Sequence, residues 1–263
     1  MIAAMRSEFI KLSRRRSLIG TGCATVLIAT LGTVVPYLTD TSGGGGPLAR
    51  TSGATGPAAF ATASGSVQGV VDVSKLLGVV VLVLAALAVT NEYTYGTLKN
   101  SLVRHPDRPG LLGGKITAIA LNVAALAVVA VVAGFVVSLI AGAINGVDMS
   151  AWTSAAGLGE TASALGTVLV SNLTFACLGL TLGVLLRAPA IAIGIGLGWT
   201  LIGEQLVSGL TSFADWFPGQ LALNLQSGEP DVGIASTLLG LSFWIAGLIA
   251  IAMFCFTVRD VDV

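Results

Sequence analysis

Chemistry needs polar or nucleophilic side chains in clusters, and this sequence offers few. There is one histidine, His105, so a histidine-dependent hydrolase or a histidine metal site lacks its ligands. Cys23, Cys177 and Cys255 lie singly within apolar runs. They read as small hydrophobes and imply neither a metal site nor a disulfide framework. No Gly-x-Ser-x-Gly occurs. Residues 110–115 end in Gly-Gly-Lys, as a phosphate-cradling loop does. That loop needs Gly where Pro109 stands and Ser or Thr where Ile116 stands, so it is absent. The chain is therefore expected to be no enzyme, with no catalytic residue, no metal and no cofactor of its own.

Other polar residues stand out by where they sit. Glu204 lies within an otherwise apolar run, about fourteen residues from its start. An ionisable group in such a place is a candidate for a transport path or gate, although near the end of a run it can also reach water. Asn122 and Asn172 also interrupt apolar runs. They suit hydrogen bonds to neighbouring helices, or the same path. Lys75 opens a run and can snorkel out of it. The densest polar stretch is 91–115. There Glu92 closes one apolar run, Leu98 and Leu102 share a helical face, and Pro106 and Pro109 break the helix. A short helix with an apolar ridge and basic flanks suits docking into a groove of another protein, or lying on a lipid surface.

The elements that must hold these residues are membrane spans. Of the 263 residues 54% are hydrophobic and only 10% charged, against about 25% charged in soluble domains. Mean hydropathy is +0.92. A soluble enzyme, a nucleic-acid binder and a disordered chain are all disfavoured. A bilayer core needs roughly 20 apolar helical residues. Six stretches qualify: 17–38, 73–90, 116–142, 161–186, 190–207 and 234–258. Helix is the conformation that satisfies the backbone in lipid, and the runs are too long and unbroken for outer-membrane strands. The fold class is thus an all-α membrane protein, one transmembrane domain over 1–263.

Net charge is zero, but the charges are unevenly placed. With the N-terminus inside, Arg6, Lys11, Arg14, Arg15, Arg16, Lys99, Arg104, Arg108, Lys115, Arg187 and Arg259 all face the cytosol; only Arg50 and Lys75 do not. By the positive-inside rule both termini are cytoplasmic. The Arg14-Arg15-Arg16 run resembles a twin-arginine signal, but further spans follow and no convincing cleavage site does. Residues 1–16 read as an interfacial helix. Ile2, Met5, Phe9 and Leu12 fall in one arc, with Arg6, Lys11, Arg14 and Arg15 outside it. Residues 39–72 have linker composition, including Gly43 to Gly46. Residues 211–233, with Phe213, Trp216 and Phe217, read as one or two short helices lying at the outer interface. Small residues recur at Gly179/Gly183, Gly194/Gly198 and Ala130/Gly134/Ser138/Gly142, which suits close helix approach.

Segment 91–115 resembles the cytoplasmic loop of ABC-2 type permeases, the membrane subunits of type-2 ABC exporters. That family has a Glu before Gly-Thr-Leu-Lys, then Leu, Pro, Arg and a Gly-Lys opening span three. Here these are Glu92, Gly96, Thr97, Leu98, Lys99, Leu102, Pro106, Arg108, Gly114 and Lys115. Glu8 and Lys11 resemble the family's E-x-x-K leader. The Gly-rich first outer loop departs from the pattern and leaves the substrate open. The resemblance implies a coupling helix after span two, carried by Glu92, Gly96, Thr97, Leu98, Lys99, Leu102 and Arg108. It implies a separate cytoplasmic ABC ATPase that binds ATP and Mg, and a second permease copy or related permease. It also implies a multi-pass place in the bacterial plasma (inner) membrane, among lipid and with no nucleic-acid partner. The cargo expected is a hydrophobic or amphipathic drug, antibiotic, peptide or lipid, with Glu204, Asn122 and Asn172 as path candidates. The alternative is a membrane scaffold or sensor anchor that moves nothing.

Overall fold

The computed structural model describes residues 15–38, 60–104, 107–227 and 233–258. The interfacial helix expected over 1–16 therefore lies almost wholly outside the described residues, as do His105, Pro106 and Arg259. Six helices are long and apolar enough to cross a membrane, and no strand occurs among the described residues. Spans one to six are Ile19–Leu38, Ser74–Thr94, Arg108–Ile144, Ala155–Leu186, Pro189–Ser208 and Ile234–Val258. Spans three and four extend beyond their apolar runs because both carry proper N-terminal caps. The Asp107 carboxylate accepts from the Gly110 N–H at 3.1 Å, and the Ser154 hydroxyl from the Gly157 N–H at 3.1 Å. Pro109, expected only as a breaker, sits in the first turn of span three, where a missing N–H costs nothing.

Span four is the hub: 67% of its apolar window is buried, against 22% for span five and 17% for span six. Apolar burial does not drive helix association in lipid, so close packing and hydrogen bonds must. Spans two and four pack in parallel and in constant register. Gly78 lies against the Phe175 ring, Gly179 against the Leu82 backbone carbonyl, and Gly183 against Ala86. Any side chain at Gly179 would overlap that carbonyl. On the other flank the short helix Gln68–Asp72 is wedged between spans one and three. Gly32 meets Gly69 and Val73, Gly134 meets Val70, and the Ser138 hydroxyl donates to the Ser66 carbonyl at 2.7 Å. The Ala130/Gly134/Ser138/Gly142 series is thus an internal packing face, whereas Gly194 and Gly198 meet nothing within 4 Å.

The segment before span six departs from the expected surface helices. A 3-10 turn, Ser212–Trp216, is followed by the helix Pro218–Gln226. That helix sinks into the bundle. Leu221 and Ala222 are fully buried, and Ala222 clusters with Leu82 of span two and Phe175 of span four. Leu82 lies eight residues, about 12 Å of helix, inside the start of span two. Small residues make this depth reachable, because Gly219 and Ala222 present almost no bulk to their neighbours.

Candidate functional site

The polar groups gather at the two ends of the bundle. At the end bearing the 94–107 connection, span two finishes with Glu92 and span three passes Lys115. Lys115 Nζ lies 3.0 Å from Glu92 Oε1, and both side chains are buried. The same ammonium donates to the Ala88 carbonyl at 3.2 Å. The pair therefore clamps spans two and three together just below the connecting loop. Two residues past the end of span two stands Gly96, whose φ of +64° is left-handed backbone that glycine adopts without a Cβ penalty. The short helix Thr97–Arg104 follows.

Of the two leucines of the expected docking ridge, Leu98 is described. Leu98 does not face outward; it is 3% exposed and packs in the cluster that holds Val89, Leu111 and Leu112. Helical spacing places an apolar residue on a face but does not say which neighbour that face meets. Here Leu111 and Leu112 at the start of span three offer the nearer apolar surface. The side chains of Lys99 and Leu102 lie outside the described residues. Thr97 is exposed, as are Tyr95 and Val103 at 76% and 84%. Arg108 Nη1 donates to the Thr257 carbonyl at 3.3 Å, which ties the start of span three to the end of span six. Arg187, in the turn between spans four and five, stacks its guanidinium 5.1 Å above the Tyr93 ring. Its φ of +55° is uncommon for a residue with a side chain. The turn thus touches span two directly. Sequence reading missed this contact, whose signal was an aromatic and an arginine closing adjacent spans at one end.

At the opposite end, the register of spans two and four sets Ser74 level with Ser171, and Lys75 level with Asn172. Span five reaches the same level. Gly196 packs on Leu82, and eight residues further on stands Glu204. Just before it the helix widens into a π turn, Trp199–Gly203. Such turns shift the register of a helix and recur at functional sites. Glu204 is fully buried rather than reaching water. Its Oε1 accepts from the Gly219 N–H at 3.2 Å, so it caps the sunken helix Pro218–Gln226 from a different span. Its Oε2 rests against Gly219 without a close hydrogen bond, and the Trp199 side chain is the polar neighbour that reaches the carboxylate. Lys75 acts on it electrostatically from beyond ion-pair distance. Ser74 Oγ, Ser171 Oγ and Asn172 Oδ1 are likewise buried and unpartnered.

The structure thus brings Glu204 and Asn172 to one layer with Lys75. It leaves Asn122 elsewhere, half-buried in a small crevice beside Val81 and Ala85. Unpaired buried polar atoms are few in most folds, and a layer of them across an apolar bundle suits a polar group in passage. Among the described residues no three of His, Cys, Asp and Glu gather as metal ligands. The model of the ABC-2 family transporter proteins matches residues 4–203. No curated protein matches the chain.

Proposed function

Because the chain belongs to the ABC-2 family of transporter proteins, we propose that it is the permease subunit of an ATP-driven exporter in the bacterial plasma membrane, with both termini cytoplasmic. The polar layer of buried Ser74, Ser171, Asn172 and Glu204, with half-buried Lys75 beside it, carries this reading. It supplies unpaired polar atoms inside an apolar bundle, as a translocation path needs and a passive anchor does not. The chain has no phosphate-binding loop, so ATP and Mg belong to a separate cytoplasmic ATPase. A second permease, identical or related, completes the path. The cargo is hydrophobic or amphipathic.

The helix Thr97–Arg104 is the coupling element in this proposal, in a form changed by Leu98. Leu98 anchors it to the bundle, and the ATPase meets the exposed side of 95–104, including Tyr95, Thr97 and Val103. Gly96 sets the turn that aims it. Lys99 and Leu102 remain coupling candidates from the sequence. A push on this helix reaches spans two and three through Glu92 and Lys115, and span six through Arg108. The test is affinity purification of the tagged chain from its own membranes. An ABC ATPase should come with it, and the complex should hydrolyse ATP while the chain alone does not. Purification without any ATPase, in detergents that keep such complexes intact, would favour the scaffold reading and defeat this one.

A further inference from the structure

Orientation in the membrane asks only for a basic residue between spans four and five. The residue that stands there is arranged for more. Span four ends at Leu186 and span five begins at Pro189, so Arg187 and Ala188 form the whole connection. Arg187 takes the left-handed backbone at φ +55°, and its N–H donates to the Gly183 carbonyl at 3.1 Å. Gly or Asn adopts that shape most readily, as Gly96 does after span two. Here an arginine bears it, and such strain persists where the surroundings hold it. What holds it is the Tyr93 ring, 5.1 Å below the guanidinium. Ala188 is extended and Pro189 fixes the next φ, so the turn is stiff.

Tyr93 meets the helix Thr97–Arg104 as well. Its carbonyl accepts from the Gly96 N–H at 3.2 Å, which shapes the turn into that helix. Its side chain packs against the cluster that holds Leu98, the helix's anchor. We propose that Arg187 and Tyr93 form the joint that carries movement of this helix to span five, and so positions Glu204. The inference rests on the export reading. The bundle holds span five lightly, with 22% of its apolar window buried. A stiff two-residue turn passes a displacement of Arg187 on to Pro189 rather than absorbing it. From Pro189 about 22 Å of helix leads to Glu204. The π turn Trp199–Gly203 lies on that route, where the span can shift register. Glu204 then acts on the helix Pro218–Gln226 through the Gly219 N–H. Arg187 and Tyr93 are positioning residues, since both lie at the opposite end from the polar layer.

The test uses the chain with its ATPase, with Cys23, Cys177 and Cys255 replaced. A bimane fluorophore on Ser208→Cys reports the far end of span five. That site is roughly 30 Å of helix from the joint, so changes there do not touch the probe. ATP should shift the bimane emission of the parent protein. Arg187 and Tyr93 are both half-buried. Arg187→Asn keeps a residue that tolerates the left-handed turn but removes the cation; Tyr93→Leu removes the ring from the other side. Each should lower the ATP-driven equilibrium for that shift about five- to tenfold, the scale of one cation–π contact. Tyr93→Phe keeps the ring face and should retain the shift. The ATPase should stay bound in all three. No shift in the parent, or equal shifts in every variant, would overturn the joint. So would loss of the shift in Tyr93→Phe, or release of the ATPase by Arg187→Asn and Tyr93→Leu, which would make the pair part of the docking surface. In each of these cases the export reading stands. Absence of any ATPase with the unmodified chain would instead remove that reading, and the joint with it.

Discussion

Removing the ammonium of Lys115 takes from the buried Glu92 carboxylate its partner at 3.0 Å, and the cost follows from the geometry. The pair is 3.0 Å apart, with side chains 5% and 11% exposed. At an effective dielectric near 20, Coulomb attraction at that distance is about 5–6 kcal/mol, most of it offset by desolvation of both ions. Breaking a buried pair from one side typically costs about 3–5 kcal/mol, because the survivor keeps its desolvation penalty. Lys115→Met also forfeits the bond to the Ala88 carbonyl. We therefore expect Lys115→Met to lower stability by about 3 kcal/mol and Glu92→Gln by about 2–3 kcal/mol. The double variant should lose clearly less than their sum, since each single change already forfeits the attraction between the two. Reversible unfolding of the purified chain in mixed detergent micelles gives all three values. Additivity within about 0.5 kcal/mol would mean that the two groups do not act as a pair, and the clamp between spans two and three would fall.

Three further outcomes follow from the same contacts. Glu204→Gln keeps the size of the side chain but removes its charge, so ATP hydrolysis by the complex should change while membrane abundance does not. A parallel fall in both would make Glu204 purely structural. Gly179→Val drives two methyls into the Leu82 carbonyl and should cost at least about 3 kcal/mol, whereas Gly194→Val, which meets nothing within 4 Å, should be nearly silent. Leu98→Ala should lower thermal stability by about 2–4 kcal/mol, while Val103→Asp should release the ATPase from pull-downs with the melting temperature unchanged. The opposite pattern would restore the outward leucine ridge.

The spans were legible because about twenty apolar residues leave the chain no other stable state in lipid. The internal face at Ala130, Gly134, Ser138 and Gly142 was also readable, since only small residues at fourth positions let helices touch. Glu204 and Asn172 could be singled out by type alone. Their neighbours could not. The register of spans two and four, which levels Lys75 with Asn172, depends on which glycines meet which backbone. The helix Pro218–Gln226 is nine residues long, too short to read as a membrane element, and its burial depends on a cap that Glu204 supplies from span five. Leu98 was misread for a related reason. Periodicity puts Leu98 on an apolar face, but only the position of Leu111 and Leu112 decides that Leu98 turns inward.

If the polar layer is a path, water must reach it, and access to Ser171 tests that most directly. Ser171 is fully buried, yet its hydroxyl has no partner and it sits level with Ser74. In a chain with Cys23, Cys177 and Cys255 replaced, Ser171→Cys would be exposed to a hydrophilic, membrane-impermeant thiol reagent with the ATPase partner present. Ala127→Cys, equally buried but walled by apolar groups, is the control. We predict labelling at 171 that accelerates while ATP is hydrolysed, and none at 127. Position 171 remaining unlabelled with and without ATP, in a complex that still hydrolyses it, would contradict the path.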